Sequence, residues 1–427
     1  MNKLIKPKVA VKAENYRDKI LPLRARAELK NRWLKKRLES ILPEVMRKEC
    51  IGMWLVIARE YNEDPVIMSL LPEPMMSARR RTILVFTLQD DSTVERLILK
   101  RGELEGFYTS PWNPDEKEQF DCLAEIVKER DPKTIGINVS NTFAFGDGLT
   151  HGEYQLLEKT LGPEYMGRVK SADRLCVGWL ERRLPEEIEA YQGCVEVTHA
   201  IVSEAFSSRV VTPSVTTTDD VVWWMRQTMH DLGLQAWFQP SVSIRAPDIS
   251  DENRRNLIRE GDLLHCDIGF YYLGLATDIQ QNAYVLKLGE NDAPEGLKVA
   301  LAEGNRLQDI HAEAMEAGKT GNEILRDALE KAKGEGLKPS IYTHPVGVHG
   351  HAAGPLVGLW DRQGGVPGRG EYELNDDTCY AIELNIRKEI PEWGGLEIRM
   401  ALEQDAVFTG GKLHFMAGRQ RKLHLIG

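Results

Sequence analysis

The stretch LLHCDIGFYYLGLATDIQQNAYVL, residues 263–286, contains two β-type runs on either side of Leu273-Gly274. Two such runs joined by a short turn that contains glycine predict a β-hairpin. Asp267 and Asp278 lie 11 positions apart in this stretch. Folded about the turn, they are predicted to face each other across the strands, or to be within one residue of doing so.

A second stretch, DTCYAIELNIRKEIPEWGGLEIRMALEQDAVFT at residues 377–409, has the same design with its turn at PEWGG. Glu383 and Glu403 are placed symmetrically about Trp393, so they are also predicted to lie opposite each other. Cross-strand partners on one face hold their Cβ atoms roughly 5 Å apart. The two hairpins therefore predict two close pairs of like charges on a mostly antiparallel sheet.

Four clustered carboxylates need compensating cations, because burying unpaired ions costs several kcal/mol each in order of magnitude. Carboxylates together with an imidazole suit a pair of divalent ions about 4 Å apart. Taken singly, an Asp-x-Gly strand end or a glutamate on an edge strand is ordinary. The ordered set of Asp, Asp, His, Glu and Glu favours a metal site.

The imidazole is expected from THPVGVHGHAAGP, residues 343–355, which holds three of the ten histidines. These are His344, His349 and His351. A histidine in a glycine-rich loop is more often structural than catalytic, so each could be a ligand, an acid/base group or neither. If the segment is extended, His349 and His351 point to the same side.

Composition limits the remaining possibilities. A chain of 427 residues with 42% hydrophobic content predicts two domains. The formal charge of −10 argues against nucleic-acid partners, and no apolar run is long enough for a membrane span. Six widely spaced cysteines indicate reduced thiols. We expect a cytoplasmic protein, or a periplasmic or secreted one if a signal peptide was removed.

Residues 1–175 are predicted to form an α/β domain and residues 176–427 an α+β domain. Strand-like segments alternate with helical ones in the first, at MWLVIARE, RTILVFTL, ERLILKR and TIGINVS. In the second, a long helix is predicted to start at Pro185, and a further helical region covers about 295–333.

The ordered acids and a Gly-His-x-x-Gly sequence at GHAAG resemble the pita-bread metallopeptidases. That family includes methionine aminopeptidase, aminopeptidase P, prolidase and the metal-free creatinase. GDLLHCDIGFYYLGLATDI is similar to its first two ligand strands, and CYAIEL and MALEQDAVFT to its last two. The N-terminal half resembles the creatinase-type domain that precedes the catalytic domain in prolidase and aminopeptidase P.

The resemblance implies a site with two divalent ions: manganese, or alternatively cobalt or zinc. Asp267 would bind one ion, and Asp278 and Glu403 would bridge both. His351, from GHAAG, and Glu383 would hold the second ion. A metal-bridging hydroxide would be the nucleophile, with Glu383 as proton shuttle.

The other two histidines have alternative roles under the same resemblance. His349 is the competing ligand, or an acid/base neighbour of the ligand. His344 would steady the tetrahedral intermediate or receive a proton.

The chain departs from the proline-specific members around this site. Before the first ligand, where those members usually have a histidine, this chain has Arg245 and Asp248 instead. After the ligand histidine, where a VHD sequence is common, this chain has GLWD, with Trp360 in place of the histidine. Gln280-Gln281 replaces Thr-Arg, and Ala401 replaces an arginine, with Arg399 on the same strand face. Arg245, Trp360 and Arg399 are therefore the expected substrate-binding residues.

The expected function is a dinuclear metal-dependent peptidase of Xaa-Pro bonds, of aminopeptidase P or prolidase type. It would act on a short peptide as a homodimer. The alternatives are a creatinase-like C–N hydrolase of a small non-peptide amide and a non-catalytic binding module on the same fold. The complete acid set disfavours both.

Overall fold

The computed structural model describes residues 17–247 and 256–427. The chain divides into two compact units, Pro22–Leu184 and Pro185–Gly427, the second of which also includes residues 17–21. The boundary predicted after residue 175 falls inside a helix, Asp173–Glu181. This helix packs within the N-terminal unit, where the Arg37 guanidinium lies 4.6 Å from the centre of the Trp179 ring.

The N-terminal unit is an α/β structure. Its elements are α1 (Leu23–Lys48), β1 (Met53–Arg59), α2 (Pro65–Leu70), β2 (Arg81–Leu88), β3 (Val94–Leu99), α3 (Gln119–Arg130), β4 (Ile135–Ile137), α4 (His151–Met166), β5 (Val169–Ser171) and α5 (Asp173–Glu181). The sheet has the order β3-β2-β1-β4-β5. The four segments predicted as strands are β1 to β4, so that prediction is confirmed.

The C-terminal unit begins with two helices and a run of short strands. These are α6 (Pro185–Ala205), α7 (Thr218–Asp231), β6 (Gln235–Ala236), β7 (Ser241–Arg245), β8 (Leu263–Ile268), β9 (Phe270–Tyr272), β10 (Leu275–Ala276) and β11 (Ile279–Val285). The predicted long helix starts at Pro185 as expected. Two acidic residues, Glu186 and Glu187, occupy its first turn, where they oppose the positive end of the helix dipole.

The rest of this unit supplies two more helices and the second hairpin. The elements are α8 (Glu295–Ala314), α9 (Gly321–Gly334), β12 (Pro339–Ile341), β13 (His344–Pro345), β14 (Thr378–Ala381), β15 (Leu384–Ile390), β16 (Leu396–Leu402), β17 (Asp405–Thr409), β18 (Lys412–Phe415) and β19 (His424–Ile426). The helical region predicted at 295–333 is thus two helices. Thr320 caps the second one with a capping box that includes Glu323.

The sheets of the C-terminal unit have the orders β19-β11-β8-β7, β12-β15-β16, β13-β14-β17-β18 and β10-β9-β6. Neighbouring strands are antiparallel, except for the parallel pair β11 and β19. The predicted fold class is therefore confirmed: an α/β domain followed by an α+β domain with a mostly antiparallel sheet. Leu297, Leu301, Ile386 and Leu402 contribute to a core shared by α8 and the β15–β16 hairpin.

The two predicted hairpins form, but only one has the expected register. Leu384 pairs with Leu402, so the same register places Glu383 opposite Glu403, as predicted. In the other hairpin Asp267 pairs with Gln280 rather than with Asp278, so the predicted pairing is wrong by two residues. The turn is centred between Leu273 and Gly274, both with positive φ, and this sets the observed register.

Among the described residues, no helix is both long enough and apolar enough to cross a membrane.

Candidate metal centre

Four carboxylates meet where the two hairpins come together. Asp267 lies on β8, and Asp278 immediately precedes β11. Glu383 precedes β15, and Glu403 follows β16. A backbone bridge joins the hairpins: Gln280 N donates to Glu403 O at 3.2 Å, and Glu403 N donates to Gln280 O at 3.4 Å. This bridge connects the two sheets beside the carboxylates.

His344 lies among these carboxylates and is 1% exposed. Its Nε2 is 3.4 Å from Asp278 Oδ2 and 3.5 Å from Glu403 Oε1. Its Nδ1 is 3.0 Å from the carbonyl oxygen of Pro345, to which it can donate a hydrogen bond. That bond fixes the tautomer and leaves the Nε2 lone pair for a ligand, as in many metal-binding histidines.

The ligand atoms form three overlapping groups in which all atoms lie within 4.8 Å of one another. The groups are Asp267, Asp278 and Glu403; His344, Glu383 and Glu403; and Asp278, His344 and His351. Asp278, His344 and Glu403 each belong to two groups. Of these three, the carboxylates of Asp278 and Glu403 can bridge two adjacent cations, whereas Nε2 of His344 can bind only one.

Three buried atoms at the centre have no hydrogen-bond partner among the described residues: Asp267 Oδ1, His344 Nε2 and Glu403 Oε1. An orphaned buried acceptor costs about 1–3 kcal/mol, and more if it is charged. Two adjacent divalent cations would satisfy all three, because carboxylate oxygens and an imidazole nitrogen are donors that such cations accept. The residues therefore fit a metal site.

The electrostatics agree with this. Burial, and then repulsion from Glu403 and Glu383, raises the pKa of Asp267 well above its usual range. Burial also raises the pKa of Asp278 to about 7. Burial opposes protonation of His344, but its contacts with Asp278 and Glu403 outweigh burial and raise its pKa. The cluster therefore attracts positive charge, which protons or metal ions can supply.

Polar neighbours orient the acids. Asp405 accepts hydrogen bonds from Asp278 N at 3.3 and 3.1 Å through its two oxygens. Gln280 Nε2 donates to Glu383 Oε1 at 2.8 Å and to Glu403 Oε2 at 2.9 Å. Gln280 therefore holds the carboxylates of Glu383 and Glu403 from outside, and Asp405 holds the backbone of Asp278.

The other two candidate histidines lie in different surroundings. The ring of His351 is 4.7 Å from that of His344, centre to centre, and edge-on to it. Burial, followed by the charge of His344, lowers the pKa of His351 to about 4. His349 lies in a run of bends rather than in an extended segment and belongs to none of the three ligand groups found among the described residues.

Of the expected substrate-binding residues, Arg399 acts electrostatically on the cluster acids, whereas Arg245 acts on His265. The charge of Arg399 acts on Asp267 and Glu383, and together with that of Arg245 it acts on His265. Trp360 lies in a turn and is 76% exposed, and within 17–247 and 256–427 no aromatic contact links it to the site histidines. Asp248 lies outside the described residues.

Sequence reasoning missed Trp237. Its Nε1 donates to Thr277 O at 2.9 Å, and its ring is 5.2 Å from that of His351. Gly350 allows this close approach, because a Cβ there would come within 2.2 Å of the indole. No spacing rule connects Trp237 with His351.

Comparisons with known proteins agree with the geometry. Residues 189–403, half of the chain, match the model of Metallopeptidase family M24. A Mycoplasma pneumoniae protein named "Putative Xaa-Pro aminopeptidase" is 24% identical over 63% of this chain and 71% of its own length. Its Mycoplasma genitalium counterpart is 22% identical over 40% of this chain, and the match spans about half, 48%, of that relative.

Solved structures show the same fold. The X-Pro aminopeptidase from Thermotoga maritima has a TM-score of 0.63 at 15% identity, covering 90% of this chain and 99% of that one. The Xaa-Pro dipeptidase from Bacillus anthracis has a TM-score of 0.57 at 16% identity, covering 92% and 99%. The resemblance to the pita-bread proteins is thereby confirmed at the level of fold.

Proposed function

Because the chain belongs to metallopeptidase family M24, we propose that it is a divalent-metal-dependent peptidase that cleaves Xaa-Pro bonds in short peptides. The convergence of four carboxylates and His344, with three buried atoms left unpaired, carries this proposal. The names of the relatives and of the similar structures support the choice of substrate.

Two ions, manganese by preference, would be held by overlapping ligand sets. Asp267, Asp278 and Glu403 would hold one, and His344, Glu383 and Glu403 the other. Asp278 would bridge to the second ion as well, because its Oδ2 is 3.4 Å from His344 Nε2. His344 takes the place proposed from sequence for His351, because its free Nε2 is buried among the acids. When bound, the ions would activate water and polarise the scissile carbonyl.

The chain's own residues move the protons. Burial raises the pKa of Glu383, which suits a carboxylate that takes a proton from water and passes it to the leaving nitrogen. His351, neutral at pH 7, can donate one hydrogen bond to an oxygen that gains charge. It borders His344 edge-on, with the two ring centres 4.7 Å apart.

Arg399 is proposed to bind the carboxylate of a short substrate. Residues 399, 401 and 403 alternate along β16 and share a face, which is the face of Glu403. The alternative, that Arg399 serves Glu397, loses support because Glu397 pairs with Lys338 at 2.7 Å and with Arg387 at 3.7 Å.

Steady-state kinetics of Arg399→Ala on a dipeptide and on the same dipeptide with an amidated C-terminus test this role. A charged hydrogen bond contributes about 1.5–3 kcal/mol, so we expect roughly a 10- to 100-fold loss of kcat/KM on the free acid only. Arg387, which pairs with Arg399 across the strands, provides the control in Arg387→Ala. Equal losses on acid and amide would reject the role.

The function itself is tested by the metal content of the purified protein and by hydrolysis of a panel of Xaa-Pro peptides with and without manganese. We expect about two ions per chain and metal-dependent cleavage. A chain that binds no ion from saturating manganese would refute the proposal. Metal binding without Xaa-Pro cleavage would refute only the substrate.

A further inference from the structure

Two glutamine–histidine pairs lie side by side on β11 and face opposite sides of the sheet. Gln280 Oε1 is 2.9 Å from His265 Nε2, and Gln281 Oε1 is 2.7 Å from His424 Nε2. Both glutamines are buried. Successive residues of a strand point to opposite faces, so only the Gln280 pair reaches the metal centre.

The Gln280 amide uses both of its N–H groups on the two glutamates. Nε2 is 2.8 Å from Glu383 Oε1 and 2.9 Å from Glu403 Oε2. Ionised carboxylates can only accept hydrogen bonds, so the nitrogen must face them and the oxygen must face His265. His265 therefore carries its proton on Nε2 and fixes the orientation of the amide.

The backbone reinforces this arrangement. Gln280 and Glu403 exchange two backbone hydrogen bonds, so the main chains that carry the two contacting side chains are fixed relative to each other. With Oε2 of Glu403 held by the amide, Oε1 faces His344 at 3.5 Å and has no hydrogen-bond partner. One amide thus sets which oxygen of Glu403 is presented to a cation.

We propose that Gln280 is a positioning residue that orients Glu383 and Glu403 for metal binding, with His265 fixing its amide. The inference rests on the proposed function, because it concerns the same cations. Without the amide, both carboxylates can rotate, and no donor separates their like charges. Groups that orient metal ligands from outside typically affect metal affinity 10- to 100-fold.

The test is calorimetric titration of manganese into Gln280→Met and Gln281→Met. Methionine keeps the length of the side chain and removes the N–H groups. We expect Gln280→Met to weaken manganese binding 10- to 100-fold, whereas Gln281→Met stays within about twofold of wild type. Thermal unfolding without metal shows whether both variants fold. The two substitutions should change the melting temperature by similar amounts.

His265→Phe should weaken manganese binding in the same direction but less than Gln280→Met, since the amide keeps its donors and loses only its anchor. At saturating manganese, Gln280→Met should lower kcat more than it raises KM, because the misplaced glutamate is the proposed proton carrier. Equal losses of affinity in Gln280→Met and Gln281→Met, or unchanged affinity in Gln280→Met, would overturn the inference alone. A wild-type chain that binds no manganese would overturn the proposed function and this inference together.

Discussion

The hairpin of β8 and β11 and the hairpin of β15 and β16 both bring two carboxylates to the centre, but with different geometry. In the second, the register pairs Leu384 with Leu402 and so places Glu383 directly opposite Glu403. In the first, Asp267 pairs with Gln280, and Asp278 is displaced by two residues. The difference places a neutral amide where a second carboxylate was expected.

A two-residue shift keeps every side chain on the same face, whereas a one-residue shift moves all of them to the other face. Asp278 therefore still converges with Asp267 and Glu403. The predicted metal site therefore survives the shift. Gln280 occupies the position opposite Asp267 where Asp278 was expected, and its amide holds both glutamates. The aspartate hairpin thus supplies ligands and their support, and the glutamate hairpin supplies ligands.

The largest expected effect comes from removing a shared ligand. Asp278→Asn and Glu403→Gln should each lose both ions, because each carboxylate is proposed to bridge them. Asp267→Asn and Glu383→Gln should each keep one ion, because each belongs to one group. Elemental analysis after equilibration with manganese measures this. If all four variants kept the same metal content, the two hairpins would not share their ions.

The second prediction separates the three histidines. His344→Ala should weaken metal binding, whereas His351→Ala should lower kcat by roughly 10²-fold with little change in metal affinity. His349→Ala is the control and should change both parameters least. Metal titration and steady-state kinetics on the three variants decide this. A ligand role for His351 would appear as lost affinity in His351→Ala.

The same comparison explains what could be predicted from sequence. The symmetry of Glu383 and Glu403 about a single turn residue, Trp393, gave the correct pairing. In the aspartate hairpin, symmetry about Leu273-Gly274 pairs Asp267 with Gln280, which is the observed register. The predicted pairing was wrong because it placed the centre midway between the two aspartates, one residue earlier. The position of the turn therefore predicts the register of both hairpins, whereas the assumption that two like residues face each other predicts it only for the glutamates.

The histidines show a second limit. GHAAG drew attention to His351, but His344-Pro-Val-Gly347 is also a His-x-x-Gly sequence. Only the pairing of His344 with Ala381, two residues before Glu383, places its ring among the acids. Trp237 and Gln280 were beyond prediction for a related reason, since their contacts join segments distant in sequence.

The third prediction concerns pH. Burial raises the pKa of Asp278 to about 7, so the metal-free site holds a proton below that pH and must release it to bind metal. Metal affinity should therefore rise as pH increases towards about 7, by up to about tenfold per unit for each proton released. Calorimetry in buffers of different ionisation enthalpy counts the protons. An affinity that is constant over this range would contradict the raised pKa.

The smallest effect is expected at the turn of the glutamate hairpin. Gly395 has φ of +84°, and a Cβ there would meet no atom within 4 Å, so Gly395→Ala introduces backbone strain alone. We expect a loss of about 1–2 kcal/mol in the free energy of unfolding, measured by denaturant titration. Gly193→Ala in α6, also with open space, is the control and should gain roughly 0.5–1 kcal/mol. Manganese affinity should not change in either variant, because the register of β15 and β16 is also held by the paired strands between the turn and the glutamates. Weaker manganese binding in Gly395→Ala alone would mean that the turn, rather than the strand pairing, aligns Glu383 with Glu403.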